Sequence, residues 1–169
     1  MDGTDCAFCG MAEKPKRWAG ATSEFYMLFD RFPVNPGHLL LIPKRHVVRL
    51  EELRDSERTD LFEAICESPK IIVATDLKKL YEGYLLTASE ALQGRPDKIK
   101  SSLWYCRQVL AQLARGVTRS EDRNHFVNDG RLAGRTVDHF HWHVVPRYEG
   151  DVLNPAGGGR SLIPGRQFY

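Results

Sequence analysis

The sequence predicts an α+β fold, and three observations carry that reading. Asp138-His139-Phe140-His141-Trp142-His143-Val144-Val145 alternates polar and apolar residues with a period of two, the side-chain period of a strand. Two apolar runs, Glu24 to Arg31 and His38 to Ile42, flank a Pro33-to-Gly37 turn and read as a hairpin. Between Asp55 and Gly116 the apolar residues recur instead at helical spacing. The 169 residues, 42% hydrophobic and 27% charged, suffice for one core, so residues 1–169 read as a single domain.

In chain order, the first feature is Cys6-Ala7-Phe8-Cys9. Cysteines at this spacing can grip one zinc ion if two further ligands complete a tetrahedron; a redox pair or two idle thiols need none. Cys66 and Cys106 stand singly in helix-like apolar patterns and read as core residues. After the hairpin, Asp55 or Ser56 caps a helix carrying Leu61, Phe62 and Ile65. Ser68-Pro69 reads as a fresh N-cap with proline at the first helical position, opening a second helix that buries Ile72, Leu77 and Leu80. Beyond Gly94-Arg95-Pro96, Asp97 caps a third helix, in which Ile99, Leu103, Cys106, Leu110 and Leu113 alternate at four- and three-residue spacing until Gly116 stops it. His125 to Asn128 and His139 to Val145 supply the last strands. Residues 149–169 read as a loop-like tail, whose Gly157-Gly158-Gly159 run is either a flexible segment or a set of backbone N–H groups for a phosphate.

The alternation places His139, His141 and His143 on one face of a strand, while Phe140, Trp142 and Val144 face the core. Buried imidazoles each need a hydrogen-bond partner, so three in a row point to a site more than to packing. Two chemistries fit. In one, the row supplies ligands to a catalytic metal with an open coordination position. In the other, one imidazole attacks phosphorus and a neighbour holds it in the right tautomer. Asn128-Asp129-Gly130 and Gly134-Arg135-Thr136-Val137, just upstream, favour the second, because they bring backbone N–H groups and a guanidinium toward an anion.

These residues resemble the histidine triad (HIT) family, whose signature is His-apolar-His-apolar-His-apolar-apolar. His139-Phe140-His141-Trp142-His143-Val144-Val145 fits it throughout, and the segment from Phe29 to His46, with Asn35-Pro36-Gly37-His38 and Ile42-Pro43-Lys44-Arg45-His46, looks like the family's nucleotide-cradling turn, strand and exit. The resemblance covers residues 5 to 66 and 123 to 150 and leaves 68–119 as an extra helical insertion: a decoration of the core or of a dimer contact, or else a lid or a partner-docking surface. It implies a HIT-like antiparallel sheet of about five strands with flanking helices, a homodimer, and a nucleotide hydrolase or nucleotidyltransferase. His141 would attack the α-phosphate of a (di)nucleoside polyphosphate or related conjugate, forming a nucleotidyl-histidine that water or another acceptor resolves. His143, Asn128 and Thr136 would donate to phosphoryl oxygens. Asp30 would take the ribose hydroxyls, His38 would stand behind the row, and Phe29, with Phe25, Leu28 and Leu40, is stock for a base pocket. Some relatives of this kind complete a Cys-x-x-Cys zinc site at the positions of His46 and His139. Carried over, Cys6, Cys9, His46 and His139 would hold one structural zinc ion per chain. The alternatives are a nucleotide sensor with little turnover that works through partners, and a metal-dependent hydrolase with the row as ligands.

One departure from the family stands six residues before the middle histidine, where glutamine is usual and this chain has Arg135. A guanidinium fork suits phosphate and implies a more anionic leaving group, unless it pairs with Asp129 or Asp138. The formal charge of +2 is too mild to announce nucleic acid, and no apolar run reaches the ~20 residues of a membrane span. With no secretory pattern at the start and cysteine use of this kind, the expected location is cytoplasmic.

Overall fold

The computed structural model describes residues 6–92, 95–117, 119–156 and 158–163; Met1 to Asp5 of the chain start, Gly94 of the expected break and Gly157 of the glycine run lie outside the described residues. It forms an antiparallel five-stranded sheet in the order β1-β2-β3-β5-β4, from β1 (Gly20–Ala21), β2 (Phe25–Phe29), β3 (Leu39–Pro43), β4 (Arg119–Phe126) and β5 (Trp142–Tyr148). Four helices accompany it: α1 (Ala7–Ala12), α2 (Asp55–Ala74), α3 (Leu77–Ala91) and α4 (Pro96–Ala114). The α+β expectation holds.

Both faces of the sheet are covered, which is why β3, Leu-Leu-Leu-Ile-Pro, is buried at every position. Phe25, Met27, Phe29, Leu39, Leu41 and Val144 face the main core under the helices. Tyr26, Leu40 and Ile42 face the other way and meet Phe8, Met11, Ala12, Trp18 and Leu28. A one-residue offset thus separates a core side chain from one on the α1 side.

The histidine row is only partly strand. β3 pairs with β5 as Leu39 with Val144, Leu40 with His143 and Leu41 with Trp142, and β5 begins there, so His139 to His141 form its approach. Two contacts account for this early end. Pro43 has no N–H to give a ladder, and its carbonyl is taken by the His139 ring, with Nε2 at 3.0 Å. Phe140 N–H bonds the Val47 carbonyl instead, at 2.6 Å.

The helix boundaries also differ from the sequence reading. Ser68-Pro69 opens no new helix; Pro69 lies inside α2. The Ile65 carbonyl, which proline cannot serve, accepts from the buried Ser68 hydroxyl at 2.8 Å, so the helix continues. Arg54, not Asp55 or Ser56, is the N-cap, and the Glu57 carboxylate reaches back to its N–H at 2.7 Å. Arg95, not Asp97, precedes α4, with Pro96 at its first position. Phe62 and Cys66 are exposed, whereas Cys106 is buried.

The two helices that follow α2, α3 and α4, grip the turn between β2 and β3. Tyr81 Oη accepts from Gly37 N–H at 2.9 Å, Tyr84 donates to the Phe29 carbonyl at 3.0 Å, and the Ser102 hydroxyl donates to the Arg31 carbonyl at 2.8 Å. Arg31 lies over the Tyr84 ring at 4.3 Å. Gly37 sits at φ +84°, where a Cβ would meet Ile72 Cγ2 at 3.0 Å and Pro146 Cγ at 3.2 Å. Gly37→Ala is accordingly expected to cost about 1–3 kcal/mol of unfolding free energy, measured by denaturant titration; an unchanged midpoint would refute the tight-turn account.

Candidate active site

Three imidazoles and a carboxylate converge beside the β2–β3 turn. His38, His139, His141 and His143 are all buried, at 3%, 0%, 6% and 8% exposure, and burial lowers the basicity of each. For His38 and His143 it falls to about 3 and for His139 to about 4, so these rings are neutral near pH 7.

The tautomer of His141 follows from one contact. Its Nδ1 lies 2.7 Å from the His139 carbonyl, which can only accept, so Nδ1 carries the proton and Nε2 keeps its lone pair. His38 Nε2 meets His143 Nδ1 at 2.9 Å. His38 Nδ1 faces Val34 N–H at 3.5 Å and Asp30 Oδ2 at 3.4 Å. Accepting from Val34 would make His38 the donor to His143 and leave the proton of His143 on Nε2. That Nε2 is buried and has no partner among the described residues, and in this tautomer it is a donor open to an anion. Phe126, the cross-strand neighbour of His143, stacks on its ring at 4.6 Å and 14°.

Asp30 is not a solvated turn residue. Its side chain is 16% exposed, burial raises its pKa, and Oδ1 accepts from Phe32 N–H at 2.9 Å. Phe29, expected in a base pocket, instead lies with Leu39 and Val144 in the main core, on the face opposite His143; the period of two puts Leu28 and Leu40 on the site side. Asn128 is half-buried beside Gly134, and Thr136 is exposed; neither forms a hydrogen bond to the imidazoles in the structure. Arg135 is engaged by the protein itself. Its Nε donates to Asp138 at 3.1 Å, its Nη1 to the Val48 carbonyl at 3.2 Å, and Asp129 stands 3.7 Å away. Its charge still reaches His141 and lowers that ring's basicity.

His139 belongs to a second cluster. Cys6 Sγ lies 3.4 Å from His139 Nδ1, and Cys9 Sγ lies 3.2 Å from His46 Nδ1 and 3.6 Å from His139 Nδ1. One ligand atom from each of the four residues falls within 4.8 Å of all the others. A tetrahedral zinc with its usual bond lengths sets sulfur and nitrogen about 3.6 Å apart, so the spacing and the donor set both fit. The Pro43 carbonyl fixes the proton of His139 on Nε2 and frees Nδ1 for a metal. Burial, with Cys6 alongside, pushes the Cys9 thiol up to about 11. His141 joins no group of three or more metal-ligating side chains among the described residues.

Sequence reasoning missed two rings at the site, Phe126 and Phe8. Phe8 meets both His139 and His141 edge-on, with centroids at 5.8 and 5.2 Å. No pattern marked either one, because cross-strand register and the docking of α1 are tertiary facts.

Comparison with known proteins agrees with this fold. The family described as the HIT domain matches residues 11–150. An uncharacterized HIT-like protein of Methanocaldococcus jannaschii is 27% identical over 149 residues, 86% of this chain and 81% of that protein. An asymmetrical bis(5'-nucleosyl)-tetraphosphatase of Schizosaccharomyces pombe is 30% identical over 119 residues, 70% of this chain but only 42% of that protein. Among solved structures, a zinc-bound histidine triad family protein from Mycobacterium smegmatis aligns with a TM-score of 0.50 at 22% identity, over 90% of this chain and 81% of that one. At that identity the likeness speaks for the fold.

Proposed function

The chain belongs to the HIT domain family, and from that membership we propose that it is a nucleotide hydrolase or nucleotidyltransferase working through a nucleotidyl-His141 intermediate. The observation that carries this is the hydrogen bond from His141 Nδ1 to the His139 carbonyl at 2.7 Å, which leaves a neutral Nε2 lone pair in a buried site. Nε2 attacks the α-phosphorus as the bond to the leaving group breaks and the leaving group departs with the bonding electron pair. Water or another acceptor then displaces the imidazole and releases the mononucleotide. His143 Nε2 donates to a phosphoryl oxygen, and Asp30 accepts from the ribose. Asn128 and Thr136 are proposed to turn their side chains to phosphate only when it is bound. A dinucleoside polyphosphate is the favoured substrate class, supported by the activity named for the Schizosaccharomyces pombe relative.

We favour this covalent route over the reading in which the row itself holds a catalytic metal, because His139 turns to the cysteines and His141 joins neither that group nor the second one, formed by Asp30, His38 and His143. We propose that Cys6, Cys9, His46 and His139 hold one zinc ion. When bound, zinc supplies a structural tie between α1 and the approach to β5. Protein purified without chelator is expected to carry about one zinc per chain by elemental analysis, and Cys9→Ser to lose it with a marked fall in thermal midpoint. Metal-free wild-type protein of unchanged stability would remove the site. A homodimer is proposed from the open edge at β4 and the family resemblance, with light scattering as its test; no helix among the described residues is long and apolar enough to cross a membrane.

His141→Ala is expected to abolish turnover and the acid-labile label from an α-labelled nucleotide while retaining folding and nucleotide binding, a loss of at least several kcal/mol in transition-state stabilisation. Near-normal turnover would exclude the covalent route; micromolar binding by wild type without turnover would leave a sensor. Arg135 serves here as a charge near His141 and an anchor for its loop. Arg135→Gln should therefore lower kcat/KM for polyphosphate and phosphoramidate substrates by a similar factor. A selective loss with long anionic leaving groups, worth roughly 1.5–3 kcal/mol, would instead mean that the guanidinium leaves Asp138 and grips the substrate.

A further inference from the structure

Phe8 lies between the two cysteines of the metal-ligating cluster, and its ring touches the imidazole next in line. The α1 helix that carries it has six residues, none of them buried. A helix that short has no stability of its own, so other contacts must hold it. They are few. Tyr26 donates to the Phe8 carbonyl at 2.7 Å, Trp18 Nε1 donates to the Met11 carbonyl at 3.0 Å, and Phe8, Met11 and Ala12 rest on Tyr26, Leu40 and Ile42. The remaining tie is the Cys6, Cys9, His46 and His139 cluster, which joins α1 to segments 37 and 133 residues away in sequence.

His141 needs more than its one hydrogen bond. The bond to the His139 carbonyl fixes the tautomer, yet the ring can still tilt about it. Two rings meet it edge-on, His143 at 4.9 Å and 64° and Phe8 at 5.2 Å and 65°. His143 is itself fastened by His38 and stacked on Phe126. Phe8 is fastened only as well as α1 is.

We infer that Phe8 is a positioning residue for the His141 imidazole, and that a metal ion held by Cys6, Cys9, His46 and His139 sets where Phe8 stands. This rests on the reading of His141 as the nucleophile. It gives the metal cluster a consequence beyond stability: with the ion gone, α1 loosens, the ring edge of Phe8 leaves His141, and the aim of Nε2 degrades while the nucleotide contacts of Asp30 and His143 stay in place.

The experiment compares wild type, Phe8→Leu and Phe8→Tyr, each metal-loaded and chelator-treated. Leucine keeps the apolar volume and removes the ring edge; tyrosine keeps the edge. Rapid-quench formation of the labelled adduct from an α-labelled dinucleoside polyphosphate is the first readout, and the binding constant for a non-hydrolysable analogue is the second. The 15N spectrum of the His141 ring, which needs no turnover, is the third. In metal-loaded Phe8→Leu the adduct should form about tenfold more slowly, the scale of one edge-to-face aromatic contact, with analogue binding and metal content unchanged and with a second ring environment for His141. Phe8→Tyr should restore the wild-type rate. Chelation should slow wild type by a similar factor and slow Phe8→Leu little further. An unchanged rate in Phe8→Leu, or an equal slowing by chelation in both proteins, overturns the proposal. If wild type forms no adduct, the nucleophile reading fails, and an unchanged His141 spectrum in Phe8→Leu then overturns the positioning role separately.

Discussion

A single hydrogen bond, from His141 Nδ1 to the carbonyl of His139, organises the whole histidine segment. It can form only where the chain has left the regular ladder, because within a paired strand that carbonyl would answer a neighbouring N–H. Pro43 supplies the break, since it ends the usable edge of β3 where the histidine segment begins. With the ladder released, His139 turns its ring to Pro43 and the cysteines while its carbonyl serves the next imidazole. Residues two apart in sequence thus differ in their contacts: one joins the metal-ligating cluster, the next keeps a lone pair on Nε2, and His143, back in the strand, holds a buried Nε2 with no partner among the described residues.

The turn opposite is constrained from another direction. Asp30 and His38 bound a segment that must fold back sharply, with glycine at positive φ, and a loop of this kind would be mobile if left to itself. Here the α3–α4 hairpin takes up its backbone groups: Tyr81 at Gly37, Tyr84 at Phe29 and Ser102 at Arg31. The far end is tied as well, since Asn35 donates to the Pro146 carbonyl and to Asp151, and Asp151 is gripped by Arg147 through two nitrogens. The α3–α4 hairpin thus supports the turn that carries the proposed ribose contact.

What was legible in the sequence follows from the range of the interactions involved. The hairpin and the amphipathic spacing in α4 are local, and each lies within a residue or two of its expected place, whereas the strand expected at His139 to Val145 is found at Trp142–Tyr148 because Pro43 and Val47 draw its first residues off the ladder. Ser68-Pro69 misled because a proline ordinarily ends a helix, and its repair by a hydroxyl one residue earlier is a detail no periodicity reports. Phe29 misled because a face assignment depends on register: Leu28 and Phe29 are equally apolar, and only the pairing with Leu39 and Leu40 tells which looks at the core. Cys6 and Cys9 are legible from their spacing, but His46 and His139 join them through family resemblance alone, being too far away in sequence for any spacing argument. For Arg135 the sequence offered both a phosphate and its two acidic neighbours, and the structure engages the neighbours.

The electrostatic character of the site bears on how it would handle an anion. Its buried histidines are held neutral by burial, and its guanidinium is already matched by carboxylates. A nucleotide would then meet oriented donors in place of a cationic well, in keeping with a chain whose formal charge is only +2. Such donors bind less tightly at long range than free charges, but they do not have to reorganise as charge shifts from the nucleophile to the leaving group. A neutral imidazole also attacks phosphorus without first giving up a proton, so the same desolvation that lowers the basicity of His141 keeps it in its reactive form at neutral pH. The Arg135 charge, felt at His141 yet tied to Asp138, adds to this by opposing protonation of the ring while remaining fixed in place. In the proposed reaction, such a pocket would favour the charge distribution of a transferring phosphoryl group over mere accumulation of negative charge.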